Sequence, residues 1–260
     1  MQRLISILLL LSLLPLINCN HSDQPDITSY SESGNQGSLA RFPKKDLVAY
    51  YPFCGNAADE SGNEHHGTVY GATLTNDRFG KRERAYEFDG VSNYILIPSS
   101  TAFSLDSNFS VSLWIKHESY TSYDVQWILW NGNTDEYLLS DSQVWMVVAN
   151  QNSKIAFEKY GFGNAWLEGP DVQEEAWTHI VAIVGPDGDT GQLYVNNSYF
   201  GSTSAGEPFD LDPSTEVVIG KRGGGHDLDY FNGAIDDIRI YDRILSEQEI
   251  GQLYHEGGWQ

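Results

Sequence analysis

The sequence predicts an all-β fold, a two-sheet antiparallel jelly-roll sandwich closed by one short C-terminal helix. Three observations carry this. Short apolar and alternating stretches recur along the chain, each ended by a turn rich in Gly, Asn or Asp. Aromatic residues are 13% of the 260, with 15 Tyr, 7 Trp and 11 Phe, which suits strands and ring platforms better than helix bundles. Helical periodicity is confined to the C-terminal end, and the length fits one large β domain.

The chain opens with Arg3 and an apolar run from Leu4 to Ile17, broken only by Ser6, Ser12 and Pro15, so residues 1–18 read as an export signal. The run ends in Leu16-Ile17-Asn18-Cys19, which resembles the lipobox of a bacterial lipoprotein, with Asn18 standing where a small residue is usual. Cys19 is thus the candidate lipidation site, and an ordinary secretory signal is the alternative. The expected address is the cell envelope, as a lipoprotein of the outer membrane or cell surface, or the medium. Residues 19–45 are polar and read as a tether, leaving 46–260 as the domain. Cys19 and Cys54 are the only cysteines, so one disulfide is the maximum; none is expected, and Cys54 reads as a small buried thiol.

The formal net charge is −21, and loss of the leader, with Arg3 and no acid, takes it to −22. Such a field disfavours nucleic acid and anionic lipid as partners, so membrane contact is expected only through the anchor. The same acids also serve solubility alone.

The first strand is Leu47 to Phe53, with Pro52 marking an edge or an end. The loop Asp59-Glu60-Ser61-Gly62-Asn63-Glu64-His65-His66-Gly67 is dense in oxygen donors, as a hard cation requires, and leads to a short strand ending at Tyr70. Strands at Ala85–Gly90 and Tyr94–Pro98 flank a turn. Phe109 to His117 alternates cleanly, with Phe109, Val111, Leu113 and Ile115 on one side and Ser110, Ser112, Trp114 and Lys116 on the other. Further strands are expected at 126–130, 136–139, 143–149, 154–158, 177–184, 192–195 and 216–219. The last strand, Phe231 to Tyr241, places Ala234, Asp236, Ile238 and Ile240 on one face, so Asp236 shares an apolar row and needs a partner or an ion. Ser246-Glu247-Gln248-Glu249 is a capping box, and Leu245 with Ile250 forms a hydrophobic staple for the closing helix. First and last strands are expected to be neighbours.

Several segments fall together in one order. They are Leu47 to Phe53, Asp59-Glu-Ser-Gly-Asn63 with His66-Gly67, Tyr86 to Val91, Phe109 to Ile115, Trp177 to Ile180, Leu193 to Asn196, and Phe231 to Tyr241 with Leu245-Ser246. Their order resembles the LamG-like jelly-roll domains of the concanavalin A-like lectin/glucanase superfamily. The resemblance spans Leu47 to Glu256 and is weakest over Trp127 to Trp166. It implies an extracellular binding module, often with a structural calcium, that takes carbohydrate or protein.

A calcium site would join Asp59 and Asn63 to Asp236, with a carbonyl near His66 as a further ligand. The competing reading makes the loop a plain turn and Asp236 a rim carboxylate. Ring platforms beside amide and carboxylate groups suit pyranose faces and edges, and Trp130, Tyr137, Trp145, Trp166 and Tyr230 are the candidate ligand-binding rings. Each could equally be core. The partner expected is a glycan or a cell-surface protein. No Glu-x-Asp-x-x-Glu run and no other catalytic motif is present, so an enzyme is not expected. The alternatives are a polysaccharide lyase or glycanase with an unrecognised site, and a protein–protein adhesion module.

Overall fold

The computed structural model describes residues 42–105, 107–118, 125–132, 144–150, 154–160, 165–204, 216–223 and 229–260. Two antiparallel sheets form a sandwich. The eight-stranded sheet runs β13 (Ser198–Ser204), β12 (Thr190–Val195), β11 (Trp177–Val184), β6 (Phe109–His117), β15 (Asn232–Tyr241), β4 (Ala85–Asp89) and β3 (Thr73–Thr75), with β1 (Leu47–Tyr51) also on β15. The seven-stranded sheet runs β10 (Ala165–Asp171), β9 (Lys154–Tyr160), β8 (Val144–Asn150), β7 (Val125–Gly132), β14 (Glu216–Ile219), β5 (Tyr94–Ile97) and β2 (Thr68–Tyr70). The single helix among the described residues that is longer than one turn is α1 (Glu247–Tyr254).

The core lies between the sheets and follows the two-residue period. Phe109, Val111, Leu113 and Ile115 of β6 point inward, meeting Ile95 and Ile97 of β5 and Val217 and Ile219 of β14 in one cluster. β15 is long enough to serve two partners on one side. Its first half pairs with β4, and its second half pairs with β1, so the first and last strands are neighbours as expected.

The face assignment of Asp236 needs correction. The β15–β6 register shifts between Asp236 and Arg239, and Asp237 has φ +59. Such a bulge inserts a residue and reverses the alternation beyond it. Ile235, Ile238 and Ile240 therefore all belong to the core cluster, while Asp236 sits opposite Trp114 in the register with β6. Asp236 does not share the row of Ile238 and Ile240.

The outer face of the eight-stranded sheet is covered. Val181, Ile183, Tyr194 and Tyr241 pack against Leu245, Ile250 and Leu253 of the α1 region. The capping box and staple are both formed: Ser246 Oγ accepts from Glu249 N, and Leu245 and Ile250 are buried together. Trp259 packs edge-on against Trp114 and Phe79, so the chain end also lies on this face.

Three described strands went unread in the sequence. β10 contains Gly169 and Pro170, and β13 has little apolar alternation because most of its residues are exposed; both are sheet edges, where such sequences are tolerated. β3 has only three residues. The strand expected at 136–139 lies outside the described residues. Packing begins inside the segment read as tether, since Phe42 lies beneath the Arg239 guanidinium and beside Tyr50. The thiol expectation for Cys54 is also corrected: it is disulfide-bonded. The chain's other cysteine, Cys19, lies outside the described residues.

Candidate functional site

The bulge in β15 assembles a buried ionic cluster. Arg78 Nη1 donates to Asp236 Oδ2 at 2.5 Å, and Arg78 Nη2 donates to Asp237 Oδ2 at 2.8 Å. Arg239 Nη2 donates to Glu256 Oε2 at 2.7 Å and lies 3.0 Å from Asp237 Oδ1. All five side chains are buried, with the Arg78 guanidinium against Trp114 and Phe79. Burial pushes the Asp236 carboxyl well above the usual carboxylate range, and Arg78 opposes that shift. The cluster ties the turn after β3, the last strand and the chain end together. Nothing in the sequence linked Arg78 or Glu256 to Asp236.

The side chains named for calcium each have other partners in the structure. Asp59 Oδ1 accepts from the backbone N–H groups of Tyr50 and Ser61, and Oδ2 accepts from Ser61 Oγ and the His65 N–H. Four donors occupy its two oxygens. Asn63 Nδ2 donates to the Leu47 and Val48 carbonyls, and His66 Nδ1 accepts from Asp59 N. The loop is thereby pinned to β1, while Asp236 meets a guanidinium. Among the described residues no three His, Cys, Asp or Glu side chains are grouped to hold a metal.

Among the described residues no helix covers the outer face of the seven-stranded sheet. Its strands place one residue each in a continuous cross-strand row: Thr68, Leu96, Val218, Trp130, Met146, Glu158 and Trp166. A second row runs Trp127, Val148, Ala156 and Glu168. Trp130, Val148, Ala156 and Val218 form an apolar floor, flanked by Tyr94, Leu96 and Trp127. Tyr70 stacks on Tyr94 with ring centroids 4.5 Å apart.

Charges on this floor come in opposed pairs. Burial raises the Glu158 pKa and the Arg222 charge opposes the rise; Arg222 also lies 5.4 Å from the Trp127 ring. Burial likewise raises Glu216, opposed by Lys221, whose Nζ stands 4.3 Å from the Tyr94 ring. Lys154 and Glu168 are bridged at 2.6 Å. Glu158 and Glu216 stand on strands three intervals apart, about 14 Å at the usual strand spacing.

The candidate rings are divided by this arrangement. Trp166 is 40% exposed on edge strand β10. Trp130 lies in the same row but is buried, with Gly223 so close above its ring that no side chain would fit. Tyr230 is buried, bridged to Trp127, with the Lys221 ammonium 5.7 Å from its ring. Trp145 holds a register position on β8 opposite Asn131, its side chain outside the described set; Tyr137 lies outside the described residues. Tyr70, Trp127, Glu158 and Arg222 were missed. For Glu158 a signal existed, since Lys154, Ala156 and Glu158 alternate with the buried Ile155 and Phe157.

A family model described as the concanavalin A-like lectin/glucanases superfamily matches residues 89–251. Comparison with curated proteins gives no match. Among solved structures, domain 4 of AbnA, a GH43 extracellular arabinanase from Geobacillus stearothermophilus in complex with arabinotriose, aligns with a TM-score of 0.62 and 21% identity. It covers 80% of this chain and 98% of that one. The botulinum neurotoxin serotype D binding domain gives 0.62 at 18% identity, over 82% of this chain and 52% of that one. The binding domain of Paraclostridial Mosquitocidal Protein 1 gives 0.64 at 18%, again over 82% and 52%. The chain thus spans about half the length of these toxin domains. At such identities the likeness is one of fold.

Proposed function

The chain belongs to the concanavalin A-like lectin/glucanase superfamily, and from that premise we propose that it is an exported binding module for carbohydrate, with the outer face of the seven-stranded sheet as its site. The observation that carries this reading is the register that places Trp130 of the apolar floor, the half-buried Glu158 carboxylate and the exposed Trp166 indole in one cross-strand row. An indole covers the apolar face of a sugar ring, and a carboxylate accepts from its hydroxyls. The opposed charges of the floor suit a neutral ligand. The fold likeness to an arabinanase domain solved with arabinotriose, and to toxin domains named as binding domains, supports binding as the activity.

Export belongs to the same reading. A disulfide at Cys54 suits an oxidising compartment. Calcium has no part in the proposed site.

The test is a glycan array probed with the purified domain, beside Trp166→Ala and Glu158→Gln. Binding to glycans that both substitutions weaken is the expected result. A blank array together with capture of one defined cell-surface protein would replace the reading with protein adhesion, and reducing ends or unsaturated products released from a polysaccharide would replace it with catalysis.

A further inference from the structure

Among the described residues, the exposed aromatic rings of the seven-stranded sheet stand at its two ends. Tyr70 on β2 is 42% exposed and Trp166 on β10 is 40% exposed, and these are the first and last strands of the sheet order. Both project from the outer face: Val69 packs toward the core between Thr68 and Tyr70, and Leu167 does so beside Trp166. Six strand intervals separate the two strands, about 29 Å at the usual spacing of about 4.8 Å. The rings between them are not equivalent. Trp130 is closed beneath Gly223, and Tyr94 is held between Tyr70 and the Lys221 ammonium.

We infer that the site takes a long, linear, neutral polysaccharide lying across the strands, gripped at two separate ring platforms, Tyr70 and Trp166, rather than a terminal sugar held in one pocket. The inference rests on the carbohydrate reading above. A single sugar ring reaches one platform only, so it gains one stacking contact. A chain that spans both gains the second contact without a second loss of translational freedom, which is the source of avidity. In the described sheet β2 and β10 are the edge strands, so the two exposed rings mark its two ends. The neutral character follows from the described residues of the floor, where the charges of Arg222 and Lys221 offset those of Glu158 and Glu216 and Lys154 bridges Glu168, although the chain carries −21 overall.

The experiment is titration of the full chain with soluble arabinan and xylan, with arabinotriose and xylotriose, and with arabinose and xylose. It is repeated with Tyr70→Ala, Trp166→Ala and the double variant. Both side chains are exposed, and a melting curve checks that each variant stays folded. At least one polymer is expected to bind 100-fold or more tightly, per site, than its trisaccharide. Each single substitution should weaken polymer binding about tenfold, and the double one should reduce it to the level of the trisaccharide. A trisaccharide or monosaccharide that binds as tightly as its polymer overturns the two-platform inference and leaves the carbohydrate reading standing, as does a polymer whose binding only one of the two rings affects. Absence of binding by either polymer, with a blank glycan array, overturns both.

Discussion

Arg78 and Asp236 are 158 residues apart in the chain, and their side chains meet at 2.5 Å with both groups buried. The pair joins the turn after β3 to the last strand, and Asp237 and Glu256 extend it to Arg239 and the chain end. Removing one member of such a cluster strands the others without compensation. Arg78→Met should therefore lower unfolding stability by about 3–5 kcal/mol. Urea denaturation measures this, and glycan affinity per folded molecule should not change because the cluster is on the other sheet. A loss below about 1 kcal/mol would show that the cluster is not what closes the fold.

Asp59 reads differently from a metal ligand, and chelation tests that. Its four accepted hydrogen bonds hold the 59–65 loop against β1. Excess EDTA should leave the melting temperature unchanged, and added calcium should not raise it. Asp59→Ala removes four acceptor contacts at once and should cost about 2–4 kcal/mol, most of it from the Tyr50 N–H left buried without its acceptor. A melting point that calcium raises and EDTA lowers would restore an ion to the loop.

How much could be read from the chain alone follows from the range of each interaction. Phe109 to Ile115 alternates because its own strand faces the core, so local pattern was sufficient. The Ser246–Glu249 box is equally local. The Asp236 face was misjudged because strict alternation has no place for a bulge, although Ile235 and Ile238, with two acids between them, carry its trace. The Trp130–Glu158–Trp166 row was beyond reach, since it depends on the mutual register of β7, β8, β9 and β10, and one of these strands contains Gly169 and Pro170. Arg78 lies in an Asp-Arg-Phe-Gly turn that gives no hint of a buried destination.

The disulfide at Cys54 is open to a direct chemical test. Iodoacetamide applied to unfolded, unreduced protein should leave Cys54 unmodified, and prior reduction should expose it to one adduct. Peptide mass spectrometry reads both. Labelling of Cys54 without reductant would show that the bond is not formed.

His179 gives the fold an acid limit. Its Nε2 is 2.9 Å from Ser112 Oγ, its ring lies on Trp114 with centroids 4.8 Å apart, and it is 1% exposed. Burial first, then the nearby Arg78 charge, holds its pKa down to about 3. The unfolded chain binds this proton below about 6.5, whereas the folded chain binds it only near 3, so the unfolded state carries more protons between those values. Stability from this group is therefore fully present above pH 6.5 and is lost as the pH falls through that window. Between pH 7 and pH 5 the loss is about 2 kcal/mol. Glu87, raised to about 7 by burial first and then by Glu118, works in the opposite sense, stabilising the fold toward acid over part of the same range. The two are separated by substitution. Relative to the unsubstituted protein, His179→Gln should shift the change in urea midpoint from pH 7 to pH 5 toward a gain, and Glu87→Gln should shift it toward a loss. An unchanged slope in His179→Gln would mean that the ring is charged, or reached by water, in the folded protein.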